Sequence, residues 1–170
     1  MHVRLMTESD LKETASVHQT AFPRQRMSYE WLQCNLNAFP RFLSYVLEVE
    51  SKIVGYIVWS QKSGFRPEAV LELEQLAILP NYQGKGYGTT LIEKSFLLVE
   101  EQLESVGSTI KHALVSTRAD NQAQRLYANV LGAEVEVTIS NLYSADEVLM
   151  IARNVSSRIN RTMTGEEVTK

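Results

Sequence analysis

Residues 71–96, LELEQLAILPNYQGKGYGTTLIEKSF, decide the fold. Leu71 and Leu73 alternate with Glu72 and Glu74, the two-residue period of a strand, and Pro80-Asn81 stops it. A glycine-rich segment follows, Gln83-Gly84-Lys85-Gly86-Tyr87-Gly88, after which Leu91, Ile92 and Phe96 recur at helical spacing. A strand that feeds a glycine-rich helix start predicts an anion site. The first amides of a helix lack internal acceptors, the macrodipole adds positive potential there, and glycine lets phosphate oxygens come close.

Spacing narrows the phosphate ligand. A Walker loop ending at Gly84-Lys85 needs Ser or Thr at Gly86 and glycine at Leu79, so it fails twice. The dinucleotide pattern G-x-G-x-x-G fails in both frames, because Thr89 or Leu91 stands at the third glycine. Q-x-x-G-x-G does fit, through Gln83, Gly86 and Gly88. That segment, with the preceding strand Leu76-Ala77-Ile78 and the following helix, resembles the acetyl-CoA signature of the GCN5-related N-acetyltransferase (GNAT) family. The resemblance covers roughly residues 1 to 152. It implies an α/β (α+β) fold: a central twisted, mostly antiparallel mixed sheet flanked by helices, with a bulge and splayed strands at the acetyl-CoA site.

Composition agrees with one domain. A chain of 170 residues, 44% hydrophobic, can bury a sizeable core, and its length is short for two domains. The formal net charge of -3, with scattered lysine and arginine, offers no footprint for nucleic acid and suits a cationic substrate. The single cysteine, Cys34, excludes an internal disulfide and a cysteine-rich zinc framework. The first residues lack an apolar signal region and no apolar run approaches membrane-spanning length, so a cytoplasmic location is expected, with no membrane partner.

Upstream of the central stretch, Val3 to Met6 reads as a strand, and Thr7 as the cap of a helix carrying Leu11, Ala15, Val17 and Phe22. A second helix is predicted from Ser28 as cap, with Trp31, Leu32 and Leu36. In the family this region builds part of the acceptor pocket, so Phe22, Tyr29 and Trp31 are read either as core or as pocket lining. Phe42 to Val49 and Ile53 to Ser60 form a hairpin around Glu50-Ser51-Lys52, and Val54-Gly55-Tyr56 resembles a recurrent strand motif of the family. Leu76 and Ile78 share parity with Glu72 and Glu74, which predicts a bulge between Glu74 and Ile78.

Downstream, a helix is expected from Gly86 to Glu104, ended by Gly107, and a strand from Ile110 to Thr117 in which His112 is structural. Asn121 to Leu131 opens another helix, whose Asn121 and Tyr127 resemble a second family motif, although Ala123 is one position early and Ala133 replaces an aromatic. Val135 to Ile139 and Glu147 to Ile151 close the sheet. Residues 1–152 are therefore read as the acetyltransferase domain and 153–170 as a frayed polar tail.

Acetyl transfer to an amine requires a proton acceptor, a polarised carbonyl and a proton for the leaving thiolate. Glu72 and Glu74 are paired acids on one strand, and either can serve as base. Tyr127, with an ordinary pKa near ~10, stays protonated at neutral pH and can donate. By resemblance, Leu76, Ala77 and Ile78 hold the pantothenyl arm of acetyl-CoA, while Gln83, Gly84, Lys85, Gly86, Tyr87, Gly88 and Thr89 hold its pyrophosphate. Asn121 either bonds the arm or caps its helix. No metal is expected. The activity implied is direct acetyl transfer from acetyl-CoA, as co-substrate, to a small-molecule primary amine. The alternatives are a protein or peptide amine, or a non-catalytic acyl-CoA-binding module, and a homodimer is compatible with each.

Overall fold

The computed structural model describes residues 1–155. Along the chain come β1 (His2–Leu5), α1 (Leu11–Ala21), α2 (Ser28–Asn37), β2 (Phe42–Val49), β3 (Lys52–Lys62), β4 (Glu68–Ile78), α3 (Tyr87–Glu104), β5 (Thr109–Arg118), α4 (Gln124–Leu131), β6 (Glu134–Ile139) and β7 (Glu147–Arg153). The strands form one seven-stranded sheet in the order β1-β2-β3-β4-β5-β7-β6. The pairs β1–β2, β2–β3, β5–β7 and β6–β7 run antiparallel, as the mostly antiparallel reading requires. The described residues form two compact units, Met1–Gln61 with Leu73–Val99, and Lys62–Glu72 with the described residues from Glu100 onward.

In the first unit β2 and β3 are buried on both faces. Even-numbered Val46, Tyr56 and Val58 pack with Met6, Leu11, Val17, Leu32 and Ala77. On the other face Trp59 meets Phe96 edge-on at 5.8 Å and donates its indole N–H to Ser95 Oγ of α3 at 2.9 Å. One irregularity matters. Leu47 pairs with Gly55 and Glu48 with Ile53, so Val54 is an extra residue in β3, and the bulge turns Ile53 onto the face of Tyr56 and Val58. The carbonyl of Val54 accepts the Leu79 N–H at 2.8 Å, just past the end of β4. A Cβ on Gly55 would lie 2.7 Å from the Ala77 carbonyl oxygen and collide with the Ile78 side chain, so only glycine fits.

The expected face of α3 is found, with Leu91, Ile92, Phe96, Val99 and Leu103 all buried. Its end is closed by a bond from Ser108 N–H to Leu103 O at 2.9 Å. In the second unit the register Ala113↔Ala152, Val115↔Met150 and Thr117↔Val148 aligns a buried stripe across β5 and β7, and α4 packs beside β5. Order continues beyond residue 152: Arg153 still pairs with His112, and the buried Val155 donates its N–H to Lys111 O at 3.3 Å. The remainder of the expected tail, 156–170, lies outside the described residues. Among the described residues no helix is long and apolar enough to cross a membrane.

Two local readings are decided by the structure. Trp31 is not core: its side is half-exposed, while Leu32 beside it is fully buried. Ser28 is not the cap of α2; Met27 precedes the helix in a left-handed conformation (φ 56°), and the Ser28 hydroxyl bonds His18 instead. Gly55→Val should lower thermal stability by about 1–3 kcal/mol, because backbone on both sides must shift to admit the side chain. An unchanged melting temperature would contradict that close packing.

Candidate active site

The segment after β4 is short and tightly held. Pro80–Tyr82 make one 3-10 turn, and Gly84 and Gly86 follow with φ of 72° and 79°, conformations that side chains rarely adopt. Gln83 Nε2 donates to Ile78 O at 2.8 Å, tying the loop to the end of β4. The first helical bond of α3 runs from Thr90 N–H to Gly86 O at 3.0 Å, so helix geometry leaves the amides of Tyr87, Gly88 and Thr89 without intrahelical acceptors. A Cβ at Gly84 or Gly86 would meet no atom within 4 Å, so the loop backbone is accessible. Lys85 Nζ donates to Asn81 O at 2.9 Å and sits 5.5 Å from the Tyr82 ring centre.

Glu72 and Glu74 each meet a residue of β3, two positions apart, as side chains on one face of adjacent strands do. Lys62 Nζ pairs with Glu72 at 2.7 Å, and Ser116 Oγ donates to the same carboxylate at 3.2 Å. Ser60 Oγ donates to Glu74 at 2.6 Å. Burial alternates along β4 up to Leu73 and lapses over Glu74, Gln75 and Leu76, before Ala77 and Ile78 are buried in succession.

In the second unit, Asn121 uses both ends of its amide locally. Oδ1 accepts the Ala123 N–H at 2.9 Å, and Nδ2 donates to Thr117 Oγ1 at 2.7 Å, which supports the turn into α4. Tyr127 is 6% exposed, and burial pushes its phenol up to about 12. Its hydroxyl has no hydrogen-bond partner among the described residues. His112 is structural, its Nδ1 accepting the Asn154 N–H at 3.3 Å. Thus Glu74, Leu76–Ile78 and Gln83–Thr89 belong to the first unit, and Glu72, Asn121 and Tyr127 to the second. Among the described residues no group of three or more His, Cys, Asp or Glu could hold a metal ion.

Residues 6–133 match the family model described as "Acetyltransferase (GNAT) family". The chain belongs to the GNAT family. As a GNAT protein it is an N-acetyltransferase. Solved structures of similar fold include the ribosomal-protein-alanine N-acetyltransferase of Escherichia coli (TM-score 0.71, 20% identity, covering 90% of this chain and 93% of that one). An aminoglycoside 6'-N-acetyltransferase complexed with coenzyme A aligns with TM-score 0.72 at 13% identity, over 91% of this chain and 98% of that one. A spermidine N-acetyltransferase chimera from Vibrio cholerae gives TM-score 0.72 at 17% identity, over 94% and 99% of the two chains. No curated protein sequence matches the chain.

This GNAT chain also holds a polar cluster that sequence reasoning missed. Gln75 Oε1 accepts from Trp31 Nε1 at 3.1 Å and from Tyr56 Oη at 3.0 Å, while its Nε2 faces His18 Nε2 and Gln25 Oε1, each at 3.4 Å. His18 Nδ1 contacts Ser28 Oγ at 2.9 Å, and the ring is fully buried. Burial lowers the His18 pKa, with Gln25 opposing, and burial raises that of Tyr56. The signal was available: His18 lies seven residues after Leu11 and four after Thr14, on the inward face of α1.

The raised Tyr127 pKa has a measurable sign. The neutral phenol is favoured in the fold, so the stability it contributes is intact below pH 10 and is lost as pH rises from 10 through about 12. Denaturation midpoints across that window should fall less steeply for Tyr127→Phe than for the parent, and parallel curves would show that the phenol is not desolvated.

Proposed function

We propose that the chain transfers an acetyl group from acetyl-CoA to a primary amine of a small molecule, by direct attack within a ternary complex, with residues 1–152 as the catalytic domain. The observation that carries this reading is the loop Gln83–Thr89, where accessible glycine backbone leads into unpaired first-turn amides at the start of α3. These amides, with Gln83 and the two positive-φ glycines shaping the turn, would receive the pyrophosphate. Leu76, Ala77 and Ile78 would offer backbone to the pantothenyl arm, and the lapse of alternation beside them supports a local break in strand pairing. Lys85 contributes charge nearby, and Asn121 shapes the turn that presents α4.

Acetyl-CoA supplies the thioester carbonyl. A carboxylate of Glu72 or Glu74 takes the proton of the attacking amine, directly or through water, as the new C–N bond forms. When the C–S bond breaks, Tyr127 gives its proton to the sulfur. Its buried phenol, neutral well above physiological pH, suits a donor. Structural likeness to a ribosomal-protein-alanine N-acetyltransferase, at 20% identity, favours a peptide amine as the second reading.

A screen of small amines and peptides for acetyl-CoA-dependent release of free CoA separates the acceptor classes, and release with none of them would favour a binding module. Gly86→Val should weaken CoA binding at least tenfold by calorimetry, since the φ of 79° and the close backbone approach are both lost. Unchanged affinity would remove the loop from the cofactor site. Tyr127→Phe keeps the ring and should cut turnover by about 10²–10⁴-fold with CoA affinity intact. In the same pH–rate series Glu72→Gln and Glu74→Gln identify the base as the variant that loses the acidic limb; two parental profiles would exclude both.

A further inference from the structure

The bonds around Gln75 have only one consistent direction. An indole nitrogen can only donate, so the Gln75 atom that Trp31 Nε1 reaches at 3.1 Å must be its carbonyl oxygen. The Gln75 NH₂ group therefore points at Gln25 Oε1 and His18 Nε2. In the tautomer with its proton on Nδ1, His18 offers that NH₂ group the Nε2 lone pair at 3.4 Å and donates from Nδ1 to Ser28 Oγ at 2.9 Å. A second proton on His18 would set an N–H against the NH₂ of Gln75.

We propose that His18, Gln75 and Trp31 form a positioning relay: the neutral imidazole orients the Gln75 amide, and the amide holds the half-exposed indole as a wall for an apolar substituent on the acceptor amine. The indole is suited to that task. Trp31 is 48% exposed and Met27, whose carbonyl accepts the Trp31 N–H at 2.9 Å, is 68% exposed, so two large apolar side chains at the start of α2 meet solvent. Burial favours the neutral form of His18, and the Gln25 side chain, which favours the charged ring, opposes it without reversing it. Phe22 of its own segment lies at 5.2 Å and Tyr56 of β3 at 6.3 Å between ring centres, Ser28 and Gln75 bond it, and the Tyr56 phenol stays protonated by burial. Only the acceptor half of the inference rests on the acetyltransferase reading; the relay stands on the geometry of one unit.

The test uses the full chain, with Trp31 quenching by acrylamide taken as the difference from Trp31→Phe, and phenethylamine as the probe acceptor. At pH 7.5 Gln75→Leu should raise Trp31 accessibility about twofold and the KM for phenethylamine about three- to tenfold, the loss of one or two hydrogen bonds. Turnover and CoA affinity should stay near parental values. Gln75→Glu keeps an acceptor for Trp31 and Tyr56 and should retain both parental values. In the parent, acidification below the ordinary histidine range should free Trp31 in a one-proton step; in Gln75→Glu the step should vanish, because a carboxylate accepts from protonated His18. A folded Gln75→Leu with parental Trp31 accessibility overturns the relay, as does an unshifted acid step in Gln75→Glu. Altered accessibility with unchanged KM overturns the wall, whereas a parent that acetylates no amine at all counts against the enzymatic reading and leaves the fluorescence result to decide the relay.

Discussion

The close approach of β3 to the end of β4 is the constraint on which the first unit depends. The extra residue Val54 frees a carbonyl for Leu79 N–H, and Gly55, lacking a Cβ, lets the Ala77 carbonyl come within 2.7 Å of where one would stand. That contact sets where β4 stops. Pro80 can then turn the chain immediately, and Gln83 reaches back to Ile78 O to hold the loop. The glycine segment is therefore anchored at one end by a strand terminus and at the other by α3, whose Leu91, Ile92 and Phe96 are fully buried. A loop pinned at both ends keeps its amides oriented before any anion arrives, and such preorganisation lowers the entropic cost of binding.

Burial also governs the side-chain chemistry. Tyr127 and His18 are both withdrawn from water, and desolvation favours the uncharged form of each, raising the phenol and lowering the imidazole. A neutral phenol can give a proton, and a neutral imidazole can accept a hydrogen bond from an amide. The glutamates are different. Glu72 keeps an ion pair with Lys62 and Glu74 accepts from Ser60, so the carboxylates are held by polar partners on β3. Direction of hydrogen bonding, more than strength, organises the Gln75 cluster, because the donor-only indole of Trp31 fixes which end of the Gln75 amide is its carbonyl.

Much of this was legible because it is local. The alternation of Leu71 to Glu74, the break at Pro80, the glycine spacing and the buried face of α3 are all periodic or stereochemical properties of neighbouring residues. What was not legible shares a cause. Trp31 had two readings, core or pocket lining, and the first is excluded because the polar end of the indole finds Gln75, 44 positions away, and the ring stays half-exposed. Ser28 reads as a cap by residue type, but His18 of α1 takes its hydroxyl. Asn121 had two readings, and its bonds to Thr117 and Ala123 are those of the local turn.

The amino-acid sequence by itself determined the element order, the glycine turn ahead of α3 and the family, because backbone stereochemistry and hydrophobic period are written in residues a few positions apart. Tertiary structure decided which polar atoms meet. Gln75 joins β4 to α1, α2 and β3, and Gly55 is required only because Ala77 and Ile78 lie against it. No sequence period encodes such pairs: the partners are 19 to 57 residues apart, and hydrogen-bond direction exists only once both atoms have been brought within reach.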